Sequence, residues 1–132
     1  MSLYTKCIKE KILPEDGYRI SIMSRHTLND GITPDQEITH DLFNSHQTIF
    51  APPLKLIGAY YRQEINWEQF SEKYLEYIRK NYMVPEVRTL AREALRKDIT
   101  LLCIESTPKK CHRRLLAEEC KLLIPKLGVV IL

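Results

Sequence analysis

The run ITLLCI at 99–104 limits the possible folds more than any other stretch of this chain. It is short, rich in branched side chains, and apolar apart from Thr100. Such a run suits a strand buried on both faces, as in a parallel sheet covered by other layers. The residues after it extend the pattern. Leu116, Cys120, Leu123 and Leu127 recur at helical spacing, Gly128 ends that stripe, and VVIL at 129–132 reads as another buried strand. Strand, helix and strand within about 35 residues make a βαβ unit, whose crossover is expected to be right-handed.

The earlier residues supply further elements. YTKCIK at 4–9 and YRISIMS at 18–24 alternate with a period of two, Tyr18, Ile20 and Ile22 sharing one face. LPEDG at 13–17 separates them with turn residues. Three helical stripes follow. Leu54, Ile57 and Tyr61 come after Pro53; Trp67, Phe70, Tyr74 and Tyr77/Ile78 come after the capping pair Asn66 and Gln69; Val84, Val87, Leu90/Ala91 and Ala94/Leu95 surround Pro85. All three read as core faces. Residues 25–52 show no sustained period and read as loop, with a short helix opening at Thr33-Pro34. The expectation is a single α/β domain over 1–132. Its mainly parallel sheet is flanked by helices in a Rossmann-like three-layer arrangement, with a βαβ unit at the C-terminal end.

Composition narrows the class. The chain has 132 residues, enough for one real core, and its 44% hydrophobic and 28% charged residues exclude a disordered chain. A net charge of +3 permits an anionic small molecule or a nucleic acid as partner and demands neither. No apolar run approaches the roughly 20 residues of a membrane span, so no membrane partner is expected. The cysteines at 7, 103, 111 and 120 form no CxxC pair, and no secretory leader is legible. Reduced thiols and a cytoplasmic location are the expectation.

Chemistry-bearing residues concentrate in CIESTPKKCHRR, 103–114. Thr107-Pro108 reads as N-cap and first helical residue, which places Lys109 and Lys110 in the first turn and Cys111 about one turn into the helix. Cations are unfavourable at a helix N-terminus, so two lysines there suggest a nearby anion. Cys103 and Glu105 alternate to one side of the strand. Three chemistries compete. A cysteine serves as nucleophile, its pKa lowered by the helix end and nearby cations. Alternatively Cys103, Cys111, His112 and His26 bind zinc. Against that reading, the separation of 103 from 111 matches no common ligand spacing, and adjacent helical side chains diverge. In the third reading Arg113 and the lysines hold a phosphate or carboxylate, with Glu105 and His112 as acid/base groups or polar anchors. The third is favoured, and neither a metal nor a cofactor is expected.

TLLCIESTPKKCHRRLLAEE closely resembles the C-terminal signature of the domain-of-unknown-function family 488. That signature is an apolar strand, Cys-x-Glu, a Pro-containing turn and Cys-His-Arg leading a helix. DGYRISIMSR at 16–25 is similar to the family's early strand, and INWEQFSEKY at 65–74 to its central aromatic helix. The resemblance implies one α/β domain with a polar site shared by two strand ends, and no known reaction. Its signature positions here are Arg19, Arg25, Cys103, Glu105, Cys111, His112 and Arg113. The chain departs from the pattern at 21–31. Met23 or Ser24 stands where an aspartate is usual, and Thr27-Leu28-Asn29 replaces an aromatic and a proline. If that aspartate acts in relatives, its work is absent or moved here.

The candidate catalytic residues are therefore Glu105, His112 and Cys111. The candidate ligand-binding residues are Arg19, Arg25, Cys103, Lys109 and Arg113. Three functions stay open. The first is an enzyme acting on a phosphorylated or nucleotide-like small molecule, although no triad or Gly-rich phosphate loop is present and Lys109 stands where a Cys-x5-Arg loop has its arginine. The second is a non-catalytic nucleic-acid or nucleotide-binding module, served by the basic pairs at 79–80, 96–97, 109–110 and 113–114 and by exposed tyrosines. The third is a purely structural element in which Arg113 pairs with Glu105.

Overall fold

In the computed structural model, which describes residues 1–132, the apolar run Ile99–Cys103 is strand β4, buried at every position. It is flanked by β1 (Ser2–Cys7) and β2 (Tyr18–Ser21). The outer strands are β5 (Gly128–Ile131) beside β1 and the two-residue β3 (Ser45–His46) beside β2. The order is β3-β2-β4-β1-β5, and all four pairings are parallel. β1 thus lies between the two strands of the C-terminal βαβ unit. The fold class is α/β, one small domain with a five-stranded parallel sheet and four helices.

Those helices are α1 (Leu54–Tyr61), α2 (Trp67–Ile78), α3 (Val84–Arg96) and α4 (His112–Leu123). α2 opens with the expected capping box: the Asn66 side chain accepts from the Gln69 N–H at 2.8 Å, and the Asn66 N–H donates to the Gln69 side chain at 2.9 Å. Phe70, Tyr74, Ile78, Val87, Leu90, Ala91, Ala94, Leu116 and Cys120 pack with Leu3, Ile20, Ile22, Ile99 and Leu101 in one core. The strand register puts Leu3, Ile20, Ile99 and Leu101 on one face and Lys6, Arg19, Ser21, Thr100 and Leu102 on the other.

The second face is covered by coil and short 3-10 turns rather than by α-helices. Asp16, in the turn Pro14–Asp16, accepts from Lys6 Nζ at 3.0 Å and from Arg19 Nη1 at 2.6 Å. Arg19 Nε donates to the Leu42 carbonyl, and the Thr100 hydroxyl to the Asp16 carbonyl. Ile8 and Ile38 pack on Leu102. Gly17, at φ +63°, closes this layer onto the sheet: a Cβ there would stand 2.2 Å from the Asp98 carbonyl oxygen.

Two local expectations fail for identifiable reasons. No helix opens at Thr33-Pro34. Asp30 and Gly31 make a turn there, with the Asp30 carboxylate accepting the Ile32 and Thr33 N–H groups and the Thr33 hydroxyl, and Pro34 bridges back to Thr27. The Thr33 hydroxyl is thereby engaged inside the turn and cannot cap a helix. In α1, the core residue is Leu56, while Leu54 and Tyr61 are 56% and 51% exposed. The segment LKLIGAYY is apolar almost all round, so spacing could not tell its core side from its open side.

Candidate functional site

The connection leaving β2 runs outward to β3, and the one leaving β4 runs the other way, through α4 to β5. Chain paths diverge between adjacent β2 and β4, and in open α/β sheets such a divergence leaves a crevice beyond the carboxyl ends of the strands. A cavity of about 380 Å³ lies there. The segments after the two strands, 23–31 and 103–112, line one side, and α1 with the start of α2 lines the other.

Its floor is polar. Cys103 ends β4, and Cys111 and His112 begin α4; all three are buried. Cys111 is the N-cap, at φ −139° and ψ 138°, and the helix starts at His112. The start expected at Thr107-Pro108 is displaced by four residues. Pro108–Lys110 turns instead, and the Arg114 guanidinium donates to the Pro108 and Lys109 carbonyls. Lys109 and Lys110 therefore precede the helix, and the first-turn argument does not apply to them. Cys111 and His112, expected to diverge as helical neighbours, are not forced apart either, because an extended residue is not bound by helical geometry. The ligand atoms of Cys103, Cys111 and His112 all lie within 4.8 Å of one another.

Backbone groups set the orientation of these side chains. His112 Nε2 donates to the Ile22 carbonyl at 2.9 Å, which leaves Nδ1 as the unprotonated nitrogen of the neutral ring, 3.8 Å from Cys103 Sγ. The Tyr74 ring packs edge-on against His112. A hydrogen bond from Cys111 is the main reason the Cys103 thiol sits below its ordinary range; the Ile104 and Glu105 N–H groups and the Arg113 charge add to it, against burial. Burial raises Cys111, and the neighbouring Cys103 thiol raises it further.

Arg113 is fully buried behind this floor. Its Nη1 donates to the Glu105 carbonyl at 2.7 Å and to Cys111 Sγ at 3.4 Å, and its Nη2 to the Leu132 carbonyl at 3.5 Å. The ion pair of Arg113 with the Glu105 carboxylate, expected under the structural reading, does not form. The Glu105 side chain is exposed and lines the cavity, and its charge raises the Tyr60 phenol, second to the effect of burial.

The cavity thus brings together Arg25, Cys103, Glu105, Cys111 and His112, and adds Lys110 and Arg62. Arg25 is exposed, with Nη1 donating to the Gly31 carbonyl at 3.0 Å. Three candidates lie elsewhere. Arg19 is held in the buried Lys6–Asp16 cluster, Arg113 sits behind the floor, and Lys109 is on the surface outside the cavity. His26 also lies apart from the cysteines. Its Nε2 shares a hydrogen bond with the Ser21 hydroxyl at 2.7 Å, and its ring stacks on His46. The side of the cavity opposite the floor escaped sequence reasoning. It holds Leu54, Ile57, Tyr60, Tyr61, Trp67 and Phe70, and the Leu54-Ile57-Tyr61 stripe assigned to the core faces this opening instead.

Fold and site together define a parallel-sheet α/β protein with a strand-end cavity that is aromatic on one side and polar on its floor. A family model described as "Active DUF488-N3 subclade" (DUF488-N3a) matches residues 3–122, and the chain belongs to that family. Searches of the curated proteins and of the solved structures give no match. No helix is long and apolar enough to cross a membrane.

Proposed function

We propose that this protein is an enzyme acting on a phosphorylated, nucleotide-like small molecule held in the strand-end cavity. One observation carries the reading: a single cavity of about 380 Å³ joins an aromatic wall, free cations and an unpaired carboxylate. That volume falls in the range of small-molecule sites, roughly 300–1,000 Å³. Tyr60, Tyr61 and Trp67 offer flat faces for a base or another planar group. Arg25 and Lys110 supply donors for a phosphate. Glu105, at the rim and free of any ion pair, is the acid/base group. His112 has both ring nitrogens engaged, so its part is played through the floor. The subclade's description as active supports an enzyme, and the four reduced thiols fit a reducing compartment such as the cytoplasm.

The nucleic-acid reading has less support. Several basic residues that would form a continuous face are paired: Arg79 with Glu119, Arg62 with Glu64, Arg114 with Glu118, and Lys97 over the Tyr18 ring. The Tyr77 hydroxyl is tied to the Ile49 carbonyl.

The test is thermal unfolding of the metal-free protein against inorganic phosphate, nucleosides, nucleoside monophosphates and short DNA and RNA, repeated on Arg25→Ala. A ligand at 100 times its Kd adds about 2.7 kcal/mol. The expected result is a rise with a mononucleotide that Arg25→Ala abolishes. A rise confined to oligonucleotides and lost steeply with salt would move the function to nucleic-acid binding. No rise with any mononucleotide would overturn the proposal.

A further inference from the structure

We infer that Cys103, Cys111 and His112 form a binding site for a divalent transition metal of the zinc type, with its fourth position open to the cavity. Their ligand atoms lie within 4.8 Å of one another. The Cys103 Sγ to His112 Nδ1 distance of 3.8 Å is within a few tenths of an ångström of the roughly 3.5 Å sulfur–nitrogen edge of a tetrahedral site with zinc bonds of about 2.0 and 2.3 Å.

Three further observations point the same way. The Ile22 carbonyl holds Nε2–H and so turns the lone pair of Nδ1 toward the thiols, the arrangement by which metal-bound histidines are usually oriented. Arg113, fully buried, donates to Cys111 Sγ at 3.4 Å, a charged donor suited to a thiolate. Two thiolates, a divalent ion and this guanidinium leave one net positive charge, where the two buried thiolates and the guanidinium without the ion would leave one net negative charge. Finally, all three residues line the cavity, so the open position faces whatever it holds. Two cysteines, one histidine and a vacant position are a donor set of catalytic rather than structural zinc.

Loading is proton-balanced. Cys103 and Cys111 each release a proton to solvent, and His112 Nδ1 donates its existing lone pair with no proton change. Cys7, the other thiol near β4, lies outside the group and bonds the Ile104 carbonyl at 3.4 Å.

The experiment is titration of the full, reduced chain with Co2+, which reports thiolate ligation through a charge-transfer band and tetrahedral geometry through its visible bands. One equivalent is expected to bind. Cys111→Ser should weaken binding more than about 100-fold, beyond the 10- to 100-fold typical of losing an outer hydrogen bond. Cys120→Ser, at a buried thiol remote from the cavity, should leave the spectrum unchanged. His112→Cys, which keeps a donor, should bind with a stronger charge-transfer band even if it is less stable. Absence of a charge-transfer band in the unsubstituted chain would overturn the proposal. So would an unchanged spectrum in Cys111→Ser, or a Cys103–Cys111 disulfide that persists when the protein is isolated with Zn2+. No substrate enters this assay and no metal enters the nucleotide panel, so the two readings fail separately.

Discussion

Replacing Asp16 by alanine tests whether Arg19 belongs to the framework or to a ligand site. Asp16, Lys6 and Arg19 are 5%, 3% and 3% exposed. The carboxylate accepts Lys6 Nζ at 3.0 Å with both oxygens, Arg19 Nη1 at 2.6 Å and the Leu13 N–H at 3.1 Å. Its removal strands two buried cations. Each keeps one backbone acceptor, Lys11 for Lys6 and Leu42 for Arg19, so the loss belongs toward the lower part of the 3–5 kcal/mol range for breaking a buried pair, about 3–4 kcal/mol. With an unfolding entropy of about 2.1 cal/mol/K per residue, a chain of 132 residues loses about 3.6 °C of Tm per kcal/mol, hence about 11–14 °C. Calorimetry and urea unfolding both read this, the urea midpoint falling at constant slope. In the double variant with Lys6→Met, part of the loss should return, because one stranded charge is gone. The pH dependence has a fixed sign. Burial works against the carboxylate, but the Leu13 N–H, Lys6 and Arg19 outweigh it and hold its pKa below the ordinary value. The stability Asp16 contributes is therefore complete above its unfolded pKa and is lost as pH falls through the folded value. The gap between parent and variant should begin to narrow below about pH 4 and go on narrowing as pH falls toward the lowered folded pKa. A loss under about 1 kcal/mol at pH 7 would refute the reasoning and free Arg19 for another role.

Three further expectations follow from single contacts. Gly17→Ala forces a non-glycine residue to φ +63° and sets a Cβ 2.2 Å from the Asp98 carbonyl oxygen, costing about 3 kcal/mol or more, read as a large drop in Tm or in soluble yield. Tyr74→Phe strands the buried Phe50 carbonyl now held at 2.7 Å and should cost about 1–2 kcal/mol in urea unfolding. Burial first, then the charges of His46 and His40, lower the His26 pKa to about 4. The unfolded chain takes up that proton at higher pH than the folded one, so stability should fall from about pH 6.5 toward 4, and His26→Gln should flatten this slope in a Tm–pH series.

Much of the framework was legible because its signals are local. The branched run at 99–104 demanded burial on both faces and became the middle strand of the sheet. The Asn66–Gln69 pair bonded as its three-residue spacing requires, and the stripes from Phe70 to Ile78 and from Val87 to Ala94 entered the core. The family resemblance implied a polar site shared by two strand ends, and the cavity lies beyond the ends of β2 and β4. Cys103, Glu105, Cys111, His112 and Arg25 share that cavity because each lies at the end of β4, in the segments that lead from β2 and β4 to the next elements, or at the start of α4.

What the tertiary structure alone decided is how side chains of similar chemistry divide their work. Arg19, Arg25 and Arg113 look alike in sequence. Burial against Asp16 commits the first to the framework, exposure leaves the second facing the cavity, and the Glu105 and Leu132 carbonyls claim the third. The apolar surface of α1 could pack in more than one direction, and contact with α2 directs Leu56 inward while Tyr61 faces the opening. Cys111 and His112 were expected to diverge on a helix, yet the Pro108–Lys110 turn, with its carbonyls held by Arg114, delays that helix until His112. An extended Cys111 then brings both side chains beside Cys103. Periodicity records which residues avoid water; only three-dimensional packing decides which polar atoms already have partners and which remain free to bind.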